Sequence, residues 1–420
     1  MKIVVLTLPE ESHVKPFLHL FDYLTGLKHE VTIYIKDSHR AILHNPDMKL
    51  KIYNQYFLDY IFNFGRNLSP ANEQVVPKNR IARTEPEKKG QVLEASYLYR
   101  WRCIKKYLKN LEEDFSQYDL LLYDYYLYFG YVVSKTYGLT PISLIPTLLP
   151  CGSIRDENLD DFLRMNYVLD TDKPLFSRKG TVDMLDDFSK RLSAQTKMDF
   201  DYFSSFFSET NIVASSRELY PESYLKKAEQ AYCFIGRQPA DGNLPNRPVL
   251  ENAPPLKDLL VYMGEIEDVE QAERMNDIIK QLSASGLSAY IITRNLDQWA
   301  TEEVCVSTNV VCHTYLPIEE YLKQVRVFVS HGGLSSISEA AMEGLPMLLI
   351  PTSGERLINA RRIQELGAGV MMSGDVASFC LLDRIGLLLA DDSYNVRSRR
   401  LGASLRNAST NLSITLENVL

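Results

Sequence analysis

The chain has 420 residues, which at ~100–200 residues per domain allows two ordinary domains or one large one and excludes a single small module. Hydrophobic residues make up 45% and charged residues 24%, the proportions of a soluble globular protein, which argue against disorder and fibrous repeats. With Lys+Arg 46 against Asp+Glu 54 the net charge is -8; nothing draws the chain as a whole toward nucleic acid or an anionic membrane, and an anionic ligand needs a local binding device.

Taken in chain order, residues 1–35 read as a strand over 3–8, a loop over 9–15, an amphipathic helix over 16–27 with Pro16 in its first turn, and a strand over 30–35. The unbroken apolar run at 3–6 is the pattern of a parallel strand covered on both faces. Strands over 119–123, 141–145 and 211–214 follow, with helices over 97–111 and 184–207. Residues 39–95 and 151–183 fit no βα order and read as inserted loops and helices. Between 236 and 256 the chain turns proline-rich and poor in apolar residues, the composition of a linker. A second series then runs: strand 259–263, helix 269–283, strands 289–293, 310–312 and 327–330, helix 335–343, strand 347–350 and helix 355–365. The expected fold class is α/β, with two doubly wound parallel-sheet, Rossmann-like domains facing a cleft. The expected division is 1–236 for the first domain, 237–256 for the linker, 257–393 for the second domain and 394–420 for a C-terminal helix packing back across both.

Cys103, Cys151, Cys233, Cys305, Cys312 and Cys380 stand singly, without C-x-x-C pairs or a zinc-type His spacing, and read as reduced packing thiols. Pro9-Glu-Glu interrupts the first apolar run too early for a signal peptide, and no ~18-residue apolar run occurs. The expected location is the cytoplasm, where the sequons at Asn67, Asn407 and Asn411 carry no meaning.

The chemistry is concentrated in Val327-Phe-Val-Ser-His331-Gly-Gly-Leu-Ser335-Ser336-Ile-Ser-Glu339-Ala-Ala-Met-Glu-Gly344-Leu-Pro346 and Pro351-Thr-Ser-Gly-Glu355-Arg356-Leu-Ile-Asn359. A buried strand ends at Ser330, Gly332 and Gly333 let the backbone approach a ligand closely, and Ser335 or Ser336 is expected to cap a helix whose free N–H groups bind an anion. Such a device suits a diphosphate without a metal or a basic surface. Glu339, one turn further along, is placed to accept from vicinal ribose hydroxyls.

This segment resembles the donor signature of the nucleotide-sugar-dependent, UDP-glycosyltransferase-like enzymes of the GT-B fold that modify small molecules. His331, Gly333, Ser336, Glu339, Gly344, Pro346, Pro351, Glu355 and Asn359 fall in register with it. The resemblance implies that His331 and Ser336 touch the diphosphate, that Glu339 binds ribose and that Glu355 faces the sugar hydroxyls. Tyr315-Leu-Pro317-Ile318 stands where the family has Trp-x-Pro-Gln, so Tyr315 is expected to stack on the base while Ile318 offers no amide. Arg356 replaces a family Gln, either to pair with a carboxylate on the sugar or to ion-pair with Glu355 or Glu365.

His13-Val-Lys-Pro16 matches the family's catalytic His-x-x-Pro position, which implies that His13 is the general base. The family pairs this residue with an Asp at a later strand end, and Asp124 fits. The tyrosine-rich run 123–131 reads either as an aromatic acceptor pocket or as packing, packing being the commoner use. Asp170-Thr-Asp172 spells a metal-type D-x-D but reads as a solvated turn. His331-Gly-Gly resembles a lipase oxyanion loop, yet no G-x-S-x-G elbow accompanies it, and no G-x-G-x-x-G follows a strand.

The expected activity is inverting, metal-independent glycosyl transfer from a UDP- or dTDP-sugar to a hydroxyl of a small, largely apolar natural-product-like acceptor. The nucleotide sugar is then a co-substrate, with no cofactor or metal, no nucleic-acid partner and no membrane span. The alternative is a catalytically silent relative that binds nucleotide or a partner protein in a biosynthetic complex.

Overall fold

The computed structural model describes residues 1–43, 45–53, 66–68, 75–77, 86–110, 114–165, 178–228, 230–238, 254–264, 269–293, 309–313, 316–372, 380–410 and 412. The chain divides into two units. One comprises Met1–Ser215, Tyr220–Ile235 and Thr410–Leu420, and the other Ser216–Leu219 and Gly236–Ser409.

The first unit is built on a seven-stranded parallel sheet. Its strands are β1 (Lys2–Leu6), β2 (Glu30–Ile35), β3 (Lys49–Ile52), β6 (Leu120–Asp124), β7 (Thr140–Ile145), β8 (Thr210–Val213) and β9 (Ala231–Phe234), in the order β3-β2-β1-β6-β7-β8-β9. A separate antiparallel hairpin joins β4 (Arg66–Leu68) to β5 (Val75–Pro77). Ile3, Val5, Val31, Ile33, Leu122 and Leu144 pack with Phe17, Leu20 and Phe21 of the chain that crosses over from β1 to β2. The order reverses between β1 and β6: the chain runs outward from β1 to β3, returns to β6, and then runs out the other way.

The stretch after β1 differs from the expected loop and single helix. Glu11–Val14 is a helical turn, Lys15–Phe17 a 3-10 turn and Leu18–Gly26 the helix proper. Val14, Pro16 and Phe17 are buried there, and driving these apolar side chains onto the sheet coils the segment. The expected helix 184–207 is Arg178–Thr196 instead. It stops before Lys197, whose φ of 59° is left-handed. Cys103, Cys151, Cys233 and Cys312 are free thiols.

The second unit carries a six-stranded parallel sheet of β10 (Lys257–Tyr262), β11 (Ala289–Ile292), β12 (Val310–His313), β13 (Val325–Ser330), β14 (Met347–Leu349) and β15 (Gly369–Met371), ordered β12-β11-β10-β13-β14-β15. Leu259, Val261, Val327, Val329 and Leu348 meet Met275, Ile278 and Leu282 of the helix Val269–Ser285 in its core. Here the reversal lies between β10 and β13. The helix Ser393–Thr410 belongs to this unit as far as Ser409, while Leu412 joins the core of the first. Arg237, the first residue of the stretch expected as linker, is buried in the second unit; residues 239–253 lie outside those described. Among the described residues no helix is long and apolar enough to cross a membrane.

Candidate active site

In open α/β sheets ligands bind beyond the carboxyl ends of the strands, at the point where strand order reverses. In each unit candidate site residues stand at that point.

In the first unit, β1 and β6 pair in parallel, Leu6 opposite Tyr123, so their carboxyl ends emerge side by side. His13 sits on the helical turn after β1, and Asp124 is the last residue of β6. His13 Nδ1 lies 2.6 Å from Asp124 Oδ2, with side-chain exposures of 14% and 1%. The other carboxylate oxygen, Oδ1, accepts from the Tyr126 backbone N–H at 3.0 Å, a turn typical of Asp at a strand end. With both oxygens engaged the carboxylate cannot swing. In a neutral imidazole whose Nδ1 hydrogen faces that carboxylate, Nε2 is the acceptor nitrogen.

Four tyrosines of the run at 123–131, Tyr123, Tyr125, Tyr128 and Tyr131, are buried in packing. Tyr126 meets the His13 ring edge-on, ring centroids 5.6 Å apart.

In the second unit, Tyr262 at the end of β10 is opposite Ser330 at the end of β13. His331 follows, buried, with its ring edge-on to Tyr262 at 5.9 Å. Gly332 takes a φ of 91°, and a Cβ there would stand 2.9 Å from the Arg356 carbonyl oxygen. Gly264, just beyond β10 with a φ of 76°, leaves room for the imidazole: a Cβ would be 3.0 Å from His331 Cε1. The turn is pinned from behind by Asn359, fully buried, whose Nδ2 donates to the Gly332 carbonyl at 3.0 Å.

Burial pushes the His331 imidazole down to about 3, the Arg356 charge acts in the same direction, and a hydrogen bond to the Tyr262 backbone opposes both. His331 is therefore neutral at pH 7 and meets an anion as a dipole, not as a cation.

The helix after the turn runs Leu334–Met342 with Gly333 at its N-cap and no side-chain cap. This corrects the expectation that Ser335 or Ser336 caps it. Leu334 is buried and enters the helix first, which carries both serines into the first turn, at its second and third positions. The first intrahelical bond is Ile337 N to Gly333 O at 3.0 Å, so the N–H groups of Leu334, Ser335 and Ser336 have no intrahelical acceptor. About half a positive charge accumulates at such an end. Glu339 is half-buried on the same helix, one turn further on.

Glu355 and Arg356 open the helix Gly354–Glu365. Arg356 donates from Nη1 to Thr352 Oγ1. Among the described residues no carboxylate pairs with it, and Glu365 is held by Arg362 at 3.2 Å instead. The expected alternative of an ion pair with Glu355 or Glu365 is thereby corrected: spacing along the helix gives Glu365 to the residue three before it. Tyr315 lies outside the described residues, as do Asp170 and Asp172. Among the described residues no group of three His, Cys, Asp or Glu is arranged to hold a metal ion.

Gly264 and Arg237 enter this site without belonging to any motif. A glycine closing the first strand of the second series is a readable signal for the former. Arg237 lies in a proline-rich stretch that gives no such signal, yet its Nη1 donates to Ser335 Oγ at 3.0 Å.

Comparison with solved structures decides the architecture. A glycotransferase of kitacinnamycin superposes with a TM-score of 0.69 over 99% of this chain and 97% of that one, at 19% identity. The glycosyltransferase VinC, solved in complex with DTDP, superposes with a TM-score of 0.66 over 99% of each chain at 16% identity. The chain has the GT-B glycosyltransferase fold.

Sequence kinship of this GT-B chain runs the same way. Residues 282–411 match the family described as the C-terminal domain of erythromycin biosynthesis protein CIII-like proteins. Over 413 residues the chain is 22% identical to an uncharacterized UDP-glucosyltransferase, YojK, of Bacillus subtilis strain 168, covering 97% of this chain and 94% of that protein.

Proposed function

We propose that the protein is an inverting glycosyltransferase that moves a sugar from a nucleoside diphosphate to a hydroxyl group of a small, largely apolar acceptor. The observation that carries this reading is the bond of 2.6 Å between His13 Nδ1 and Asp124 Oδ2 at the reversal point of the first sheet. A buried carboxylate that fixes the tautomer leaves Nε2 ready to take a proton, the arrangement of a general base. A silent, nucleotide-binding relative has no use for it.

In the proposed reaction Nε2 of His13 removes the acceptor hydroxyl proton while the oxygen attacks the anomeric carbon. The bond from that carbon to the diphosphate oxygen breaks, and the diphosphate leaves with the electron pair. One displacement inverts the anomeric configuration. Asp124 steadies the imidazolium that forms. The charge that grows on the leaving group meets the N-terminal end of the helix Leu334–Met342, whose free N–H groups are already oriented. His331 and Ser336 line that end, Glu339 serves the ribose, and Glu355 and Arg356 serve the sugar. This scheme uses dipoles where other transferases use a divalent metal, so we read it as metal-independent and without a cofactor. The nucleotide is UDP or dTDP, in keeping with the name of the Bacillus relative and the ligand of VinC.

A panel of UDP- and dTDP-sugars, one of them a uronic acid, tests the reading by release of nucleoside diphosphate in the presence of phenolic and polyketide acceptors. Release that disappears in His13→Ala is expected. Absence of release with every donor would sink the enzyme reading, and a retained anomeric configuration would sink the single displacement.

A further inference from the structure

Arg237 belongs to none of the roles above. It is 6% exposed, and its backbone N–H donates to the Leu405 carbonyl at 3.2 Å. Gly236 before it runs so close to the last helix that a Cβ would stand 2.1 Å from the Leu405 oxygen. The guanidinium is thus delivered to one place. Burial lowers it to about 10, and the charge of Glu339 opposes that fall, so it remains a cation at neutral pH.

A guanidinium only donates, so in its bond of 3.0 Å to Ser335 the hydroxyl oxygen is the acceptor. Among the described residues Ser335 has no other partner, and its own hydrogen stays unspent. Helical serines ordinarily return that hydrogen to their own backbone, as Ser338 does to the Leu334 carbonyl at 2.8 Å. Ser336, 8% exposed in the same turn, has no hydrogen-bond partner among the described residues. Two hydroxyls and three backbone N–H groups without an intrahelical acceptor thus belong to the first turn of this helix, and one buried cation is bonded to it.

We propose that Arg237 is a positioning residue of the donor site: it takes the acceptor side of Ser335 Oγ, holds that hydroxyl as a donor, and adds a positive charge to the end of the helix where the diphosphate sits. This rests on the donor-site reading above. Arg237 then governs affinity for the pyrophosphoryl part of the donor and leaves the nucleoside part alone.

Calorimetric binding of UDP and dTDP, beside uridine and thymidine, to the full chain tests this. Arg237→Met is expected to weaken the diphosphates by about tenfold or more, the usual scale of a lost charge-assisted hydrogen bond. The nucleosides should move less than about twofold, and Arg237→Lys should recover part of the loss. Adding Ser335→Ala to Arg237→Met should cost little more, because the two act as a unit. Equal weakening of diphosphate and nucleoside, or unchanged diphosphate affinity, overturns the proposal. Should Arg237→Met fail to fold, Ser335→Ala gives the same reading: a diphosphate-specific loss supports it and an unchanged affinity overturns it. A wild-type chain that binds neither diphosphate overturns the donor-site reading together with this one, whereas binding without dependence on Arg237 or Ser335 overturns this one alone.

Discussion

Asp124 holds His13 through one carboxylate oxygen at 2.6 Å while the other accepts the Tyr126 backbone N–H at 3.0 Å. The second bond makes the first directional. Asp124→Asn is expected to keep the fold but to present an amide that can turn its NH2 to the imidazole and favour the wrong tautomer. Transfer should fall by about 10²–10⁴-fold, the range for losing general-base assistance, and His13→Ala should fall as far. Nucleoside diphosphate release under saturating donor measures both; activity of Asp124→Asn near wild type would remove the carboxylate from the mechanism.

Gly264→Ala combines a left-handed φ of 76° with a Cβ 3.0 Å from the His331 ring. A stability loss of about 1–3 kcal/mol is expected from the backbone strain alone. Displacement of His331 should raise the donor KM more than it lowers kcat. Thermal melting and donor titration check the two effects separately, and a variant with the stability and KM of the wild type refutes the close approach.

The pH dependence of His331 has a definite sign. Its folded-state pKa of about 3 lies below the ordinary imidazole value of 6.5. Between these, the unfolded ring takes a proton that the folded ring refuses. Stability conferred by the neutral ring is full above about 6.5 and declines as pH falls toward 3, by up to about 1.4 kcal/mol per pH unit. His331→Gln does not titrate. The gap in unfolding free energy between wild type and variant should therefore shift against the wild type from pH 6.5 to 4.5 in urea titrations. A gap independent of pH contradicts the burial of the imidazole.

Asn359→Asp replaces the amide donor to the Gly332 carbonyl with a second acceptor inside the protein. Losing that bond and burying an extra charge should cost at least about 1–3 kcal/mol. The turn at Gly332 should loosen, so nucleoside diphosphate affinity should fall with the melting temperature. Preserved affinity in a folded Asn359→Asp would show that the turn does not need its rear support.

Strands covered on both faces were legible because they are unbroken apolar runs: 3–6 became part of β1, and the strands 327–330 and 347–350 of the second unit fell within a residue or two of β13 and β14. Among the edge strands only β12 was read, at 310–312; β3, β9 and β15 were not. Lys49–Ile52 alternates lysine with apolar residues in the manner of a half-exposed edge, and Gly369–Met371 is too short to carry a period. In the candidate site the motif residues were legible as a string, but the helix start was off by one residue because Leu334 reads as a turn residue and packs as a core residue. Arg237 was invisible for a different reason. Its role depends on a bond to a residue far along the chain, and its neighbours in sequence have the composition of a tether.

The tetrapeptide Ser216–Leu219 belongs to the second unit although the chain on both sides of it belongs to the first. Arg362 donates to the carbonyls of Leu219 and Glu218 at 2.9 and 3.0 Å, and Arg400 meets the Glu218 carboxylate at 2.7 Å. A chimaera made by a single splice at 236 would strand two arginines whose acceptors stay with the discarded parent. Exchanging the second unit between this protein and its relatives therefore calls for two crossovers, with the short 216–219 segment transplanted alongside the rest.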